Sequence, residues 1–180
     1  PAVVREFKYS SKNYLGYASS VKWRDDGDNL YDARGDYQYS STEDLIQGKG
    51  TNKRVIRRTQ RVYNRFHLQL EETVTQSGKT VRNITKYHDR TNVRFDNQPA
   101  NFQLPSEFEI SWSDTSIRNG GRSEVTLTEY DDCGNVRKKV SPTGIVEVFE
   151  YYPVGISDGC PADVFGEQRW LKSKTLRPAP

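Results

Sequence analysis

The residues best suited to chemistry in this 180-residue chain are its two histidines, His67 and His88. An imidazole that titrates near neutrality can relay a proton, or ligate a metal beside an acidic partner. Glu71 and Asp89 lie nearby in sequence, and the two histidines fall on the two arms of one predicted hairpin, where they could face each other. The plainer account is that His67 occupies the polar face of its strand and His88 a strand end, both solvated. No Ser-His-Asp, HExxH or phosphate-loop pattern accompanies them. The reading is therefore of a chain that is not an enzyme, with no catalytic residue, metal or cofactor.

Three further stretches carry binding chemistry. "DDGDN" (residues 25–29) has acidic spacing like a calcium loop, but Asp36 stands at the twelfth position where a Glu is wanted. A solvated turn accounts for it more simply. "RGD" (residues 34–36) is the integrin-binding tripeptide, and three-residue matches arise readily by chance. Lys53, Arg54, Arg57, Arg58, Arg61 and Arg65 put six cations into thirteen positions, with Tyr63 and Phe66 beside them. Such a strand could hold a phosphate backbone and stack a base. Glu71 and Glu72 follow at once and the net charge is only +3, so cross-strand pairing with acids is the plainer account. Arg57, Arg58, Arg61 and Arg65 are thus the binding candidates. The function they would serve is an independent β-rich module for a polyanion, a nucleic acid or a cell-surface receptor. Nucleic acid is not the favoured partner.

The elements that would position these residues read as strands. The chain is 33% hydrophobic and 28% charged, which is polar for a globular domain. Eleven Tyr, seven Phe and three Trp nevertheless argue against disorder. Polar but aromatic-rich sequences suit antiparallel sheets with a solvated face. No apolar run approaches a membrane span. The two cysteines, Cys133 and Cys160, are too few for a disulfide scaffold, although one bridge between them is conceivable. The start "PAVVREFKYS" and the lack of any Met suggest a piece of a longer or processed polypeptide.

Residues 1–50 read as a loop-rich β segment, with a strand in "YLGYASSVKW" and one short helix over "TEDLIQGKG" (residues 42–50), capped by Thr42 and ended by Gly48 or Gly50. Residues 51–180 read as an array of antiparallel strands with a connecting tail. Phe66, Leu68 and Leu70 alternate with His67 and Gln69, the period of a strand. "QSGK" turns that strand back, so residues 62–88 form a long predicted hairpin. "DNQPANFQLPSEF" reads as loop, and "FEISWSD" and "SEVTLTEY" as strands joined by a turn at "RNGGR". Asp131 to Gly134 and Ser141 to Gly144 have type I turn chemistry, with each Gly at a left-handed position and Pro142 fixed at the second.

The sequence Tyr130-Asp131, Gly134-Asn135, Pro142-Thr143-Gly144, Tyr151 resembles an RHS repeat, also called a YD repeat. Tyr130 and Tyr151 lie 21 residues apart. Tyr63-Asn64 and Tyr87, 24 residues apart, resemble a degenerate copy in which Asn serves the turn in place of Asp. "YNRFHLQLEE" and "DGCPADVFGEQRWLKSKTLRP" are similar to segments of the B component of insecticidal toxin complexes (Tc toxins). The resemblance covers roughly residues 55 to 180 and is weak before 50. It implies a hollow shell of wound β-strands that B and C components form together around a cytotoxic segment of the C component, docked on a pore-forming A component. The expected partners are then the rest of the parent shell protein, a toxin C-type component and an A-type component. The expected setting is secreted or extracellular, in a virulence-associated complex of bacterial origin. Self-cleavage and toxicity belong to the C component, and none of its motifs occurs here. The resemblance thus implies a mainly β chain with little helix, one segment of a larger wound sheet, that helps to encapsulate and deliver a toxin. Tyr63, Tyr87, Tyr130 and Tyr151 would form a ladder along neighbouring strands, and Asp131, Gly134, Asn135, Pro142 and Gly144 would set the turns.

Overall fold

The structure, a computed structural model, describes residues 3–10, 37–117, 120–155 and 159–179. The expected strand in "YLGYASSVKW", the acidic "DDGDN" and the "RGD" tripeptide lie outside those residues. Ten strands follow one another in chain order as an antiparallel sheet: β1 (Val3–Tyr9), β2 (Gln38–Gln47), β3 (Arg54–Asn64), β4 (Gln69–Gln76), β5 (Lys79–Tyr87), β6 (Pro105–Asp114), β7 (Gly121–Tyr130), β8 (Val136–Val140), β9 (Val146–Tyr151) and β10 (Leu171–Arg177). The described helical content is two 3₁₀ turns, Gly50–Asn52 and Phe95–Asn97. The chain divides into two compact units, one of residues 1–85, 90–98 and 109–124, the other of residues 86–89, 99–108 and 125–180. Residue 50 lies inside the first unit.

The helix expected over residues 42–50 does not form. Residues 42–47 complete β2, where Asp44 lies opposite Arg58 and Ile46 opposite Val55. Asp44 and Ile46 are both buried there. Two isolated helical turns would have little cooperative stability of their own, whereas the strand buries Ile46 and gives Asp44 a cation. Gly48 then bends the chain at φ +100, and a Cβ there would lie 2.3 Å from the Asn52 carbonyl oxygen.

The long arm expected from residue 62 onward is also interrupted. Its alternation breaks between Asn64 and Leu68, where the chain turns from β3 into β4 and His67 takes φ 61°. The Ser77-Gly78 corner is a two-residue turn with both φ values positive, 51° and 77°. That is the twist that matches a right-handed β-ribbon, and it sets Gln76 opposite Lys79. Within "DNQPANFQLPSEF", residues 105–108 belong to β6 rather than to the loop, with Pro105 as the opening residue of the strand. A proline there withholds no ladder donor that the strand interior needs.

Few side chains in either unit are fully buried. Ile46, Phe66, Phe102 and Cys160 are the buried apolar ones among the described residues. Strand β1 pairs with β2 and is exposed at nearly every position, with Phe7 57% accessible. Strand β10 pairs with β9 and is exposed in the same way, Leu176 included.

Candidate functional site

One side-chain-capped turn frame occurs four times among the described residues. At Asp131, the backbone N–H of Gly134 donates to the Asp131 carbonyl at 3.0 Å, and the Asp131 N–H donates to the Asn135 carbonyl at 2.9 Å. The Asp131 carboxylate accepts from the N–H groups of Cys133 and Asn135, at 2.9 and 2.8 Å. Gly134 sits at φ 82°. This is a type I turn closed by a left-handed residue, and the pairing of β7 with β8 shifts register beside it, at Glu129/Tyr130. Ser141 repeats the frame, its hydroxyl accepting from the Ile145 N–H at 3.1 Å and Gly144 standing at φ 82°. Asn64 repeats it again, with Oδ1 accepting from Phe66 N–H at 2.9 Å and Leu68 N–H at 3.0 Å. Asp163 makes the fourth, with its carboxylate on the Phe165 N–H at 2.9 Å and Gly166 at φ 71°. Sequence reasoning missed the Asp163 copy. The signal was present, because Asp163 and Gly166 have the same offset as Asp131 and Gly134.

The tyrosines tie the turns to adjacent strands. Tyr130 ends β7 and donates its hydroxyl to the carbonyl of Pro105, the residue that opens β6, at 3.0 Å. Tyr151 ends β9 and donates to the carbonyl of Val136, which opens β8, at 3.1 Å. Burial pushes both phenols above their usual range. Tyr63 pairs with Tyr39 across β2 and β3, and their rings stack at 5.0 Å with planes 17° apart. Tyr87 closes β5. Pro142 stands at the second position of its turn, and Asn135 donates its side-chain amide to the Asp131 carboxylate at 3.1 Å and to the Gln168 carbonyl.

Alternation along β3 sends its arginines to opposite faces. Arg58 projects with Asp44, to which it donates twice, at 2.7 and 2.9 Å. Asp44 is 1% exposed, and the Arg58 guanidinium holds its carboxyl below the usual range against the opposing effect of burial. Lys8 adds a second cation at 3.6 Å. On the other face, charges alternate in a row across four strands. Arg5 of β1 lies 3.5 Å from Glu43 of β2, Glu43 lies 3.7 Å from Arg61 of β3, and Arg61 donates to Glu72 of β4 at 2.7 Å. Arg54 donates to the Gln47 amide oxygen at 2.8 Å, and Lys53 pairs with Glu6 at 3.6 Å. Arg65 is buried in the turn after β3. Its guanidinium donates to the carbonyls of Arg90 and Val93 and lies 4.4 Å from the Phe66 ring centre. The four arginines proposed as one binding strip therefore sit in three different places, and Arg58, Arg61 and Arg65 are engaged within the fold.

The histidines are likewise committed to separate partners. His67 Nδ1 is 2.7 Å from the Tyr39 hydroxyl, and burial lowers its pKa. His88 meets the Tyr130 ring edge-on at 5.9 Å. Glu71 accepts from Arg82 at 2.6 Å and from Thr73 at 2.9 Å, which depresses its carboxyl. Among the described residues, no three His, Cys, Asp or Glu side chains converge as a metal would require. Cys133 is exposed, Cys160 is buried, and the two are not bonded. An open hollow of about 470 Å³ lies beside Trp112, with Val81, Ile117 and Arg122 among its walls. Its described lining carries one carboxylate, Asp114, which accepts from the Ser116 N–H and hydroxyl. Among the described residues no helix is long and apolar enough to cross a membrane.

No protein-family model, no curated protein and no solved structure matches this chain. What the arrangement can do rests on its own geometry. It can hold successive strands in a fixed register by recurrent turns, bridging tyrosines and charge pairs.

Proposed function

We propose that the chain is a structural segment of an RHS-type shell, of the kind formed by the B component of insecticidal toxin complexes, and that it acts by enclosing cargo rather than by catalysis. The observation that carries this reading is the recurrent turn. Asx or Ser caps the loop, a left-handed residue closes it, and at Tyr130 and Tyr151 a hydroxyl fastens the end of one strand to the start of the one before. A device that repeats with the strands can extend a sheet indefinitely, as repeat proteins do, each unit resting on its neighbour. The side chains of β1 and β10 remain largely exposed, which suits strands that further sheet would cover. Long uncovered edges otherwise invite uncontrolled pairing.

The test is protection of cargo. The parent shell protein is co-expressed with a toxin C-type component, and the assembly is treated with protease. Enclosure predicts that the C-terminal segment of the C component survives in the intact assembly. It also predicts that the segment is cut when Gly134→Val and Gly144→Val open the turns. Equal cleavage with and without the shell protein would refute the reading.

A further inference from the structure

We propose that the face of β1–β3 bearing Arg5, Arg57 and Arg61 is a binding site for a tetrahedral oxyanion, a phosphate or sulfate group, seated in a hollow of about 230 Å³. The proposal is independent of the shell reading, since it uses none of the turn residues.

The register creates the cluster. Arg5 lies opposite Leu45, and Leu45 lies opposite Arg57, so two guanidinium groups rise on one face on either side of a leucine. Arg61 stands four residues further along β3 on the same face, because side chains repeat every second residue. Thr59 lies between them, 4% exposed, and lines the hollow with Glu43.

Charge decides what such a hollow accepts. Its described lining carries three guanidinium groups and one carboxylate, Glu43. Glu43 is shared between Arg5 and Arg61, at 3.5 and 3.7 Å, and Arg61 is also taken by Glu72 at 2.7 Å. After both acids are counted, one positive charge remains. Of the arginines of β3, Arg54 has Gln47, Arg58 has Asp44 and Arg61 has its two glutamates. Arg57 takes no carboxylate among the described residues, and it is exposed. Guanidinium forks donate two parallel N–H groups, which suits an acceptor with oxygens on several sides. A tetrahedral oxyanion presents four oxygens to groups arriving from β1 and β3, whereas one carboxylate is satisfied by a single fork. On the opposite face the charge of Arg58 is already matched by the buried Asp44, to which it donates twice.

The test is calorimetric titration of the whole chain with sodium phosphate and, separately, sodium sulfate, with ionic strength held constant by sodium chloride. A saturable one-to-one isotherm is expected for at least one of them, and the tighter of the two indicates whether the natural group is a phosphate or a sulfate ester. Arg57→Gln should weaken binding about tenfold or more, the effect of losing a charge-assisted contact. Glu43→Gln should tighten binding, because the carboxylate competes with the ligand for Arg5 and Arg61. Arg137→Gln, an exposed arginine on β8, should change nothing. The sign of the Glu43→Gln effect keeps the test decisive even if Arg57→Gln proves unstable. Absence of saturation, weaker binding in Glu43→Gln, or an equal loss in Arg137→Gln would overturn the proposal.

Discussion

Replacing Arg58 by methionine should unmask the cost of a buried carboxylate. Asp44 is 1% exposed, and its main partner is the two-pronged contact with Arg58. Removing one member of a buried ion pair typically costs about 3–5 kcal/mol, because the other charge is left without compensation. Two features reduce that figure here. The Arg58 side chain is 45% exposed, so water screens the pair. Lys8 also stays 3.6 Å from the same carboxylate. A loss of about 2 kcal/mol is the expected result. Urea unfolding followed by tryptophan fluorescence measures it, and with a slope of about 2 kcal/mol/M the midpoint should fall by about 1 M. The double variant Asp44→Leu/Arg58→Met removes both charges and should recover most of the loss, with a coupling of about 1–2 kcal/mol in the cycle. Additive single effects, with coupling below about 0.5 kcal/mol, would refute the view that Arg58 compensates the buried Asp44 charge.

Gly134→Val should destabilise the fold by about 1–2 kcal/mol or more through its left-handed φ, since the new Cβ would stand 3.4 Å from Leu104 in ordinary contact. Gly144→Val should cost more in the same urea assay, because there a Cβ would also press on Ala179 at 3.0 Å. Tyr130→Phe and Tyr151→Phe should each lose about 0.5–1.5 kcal/mol by thermal or urea unfolding, the net value of one hydrogen bond. Wild-type figures from either variant would remove the hydroxyl bridges from the account. Asp44 and Glu71 have folded-state pKa values below their unfolded ones. The stability they contribute is therefore present above pH of about 4 and is lost as pH falls through the depressed folded values. Melting recorded from pH 7 to pH 2 should show the loss confined to the acid end, and Arg58→Met should remove the share due to Asp44 while leaving that of Glu71.

The antiparallel hairpins were legible because turn chemistry sits at fixed offsets, and Asp131 with Gly134 or Ser141 with Gly144 dictates a local backbone whatever surrounds it. The Asn64 turn was half legible. Tyr63-Asn64 had the look of a degenerate repeat, yet the alternation of Phe66, Leu68 and Leu70 argued for a continuous strand. Local side-chain capping by Asn64 won over that period, with His67 in a position that glycine holds elsewhere. The helix expected at residues 42–50 failed for a different reason. Thr42 and Gly48 are acceptable helix ends, but Asp44 and Ile46 gain partners only across strands, and cross-strand register is invisible to a local reading. The same blindness grouped Arg57, Arg58, Arg61 and Arg65 into one strip, although period-two geometry and a turn separate them.

The proposed shell role requires that further sheet pair with and cover this one. Size-exclusion chromatography with light scattering tests it, on the chain alone and then mixed with the remainder of the proposed shell protein. Self-association of the isolated chain, or tight capture by that remainder into one complex, is the expected result. A stable monomer that ignores the remainder would contradict it.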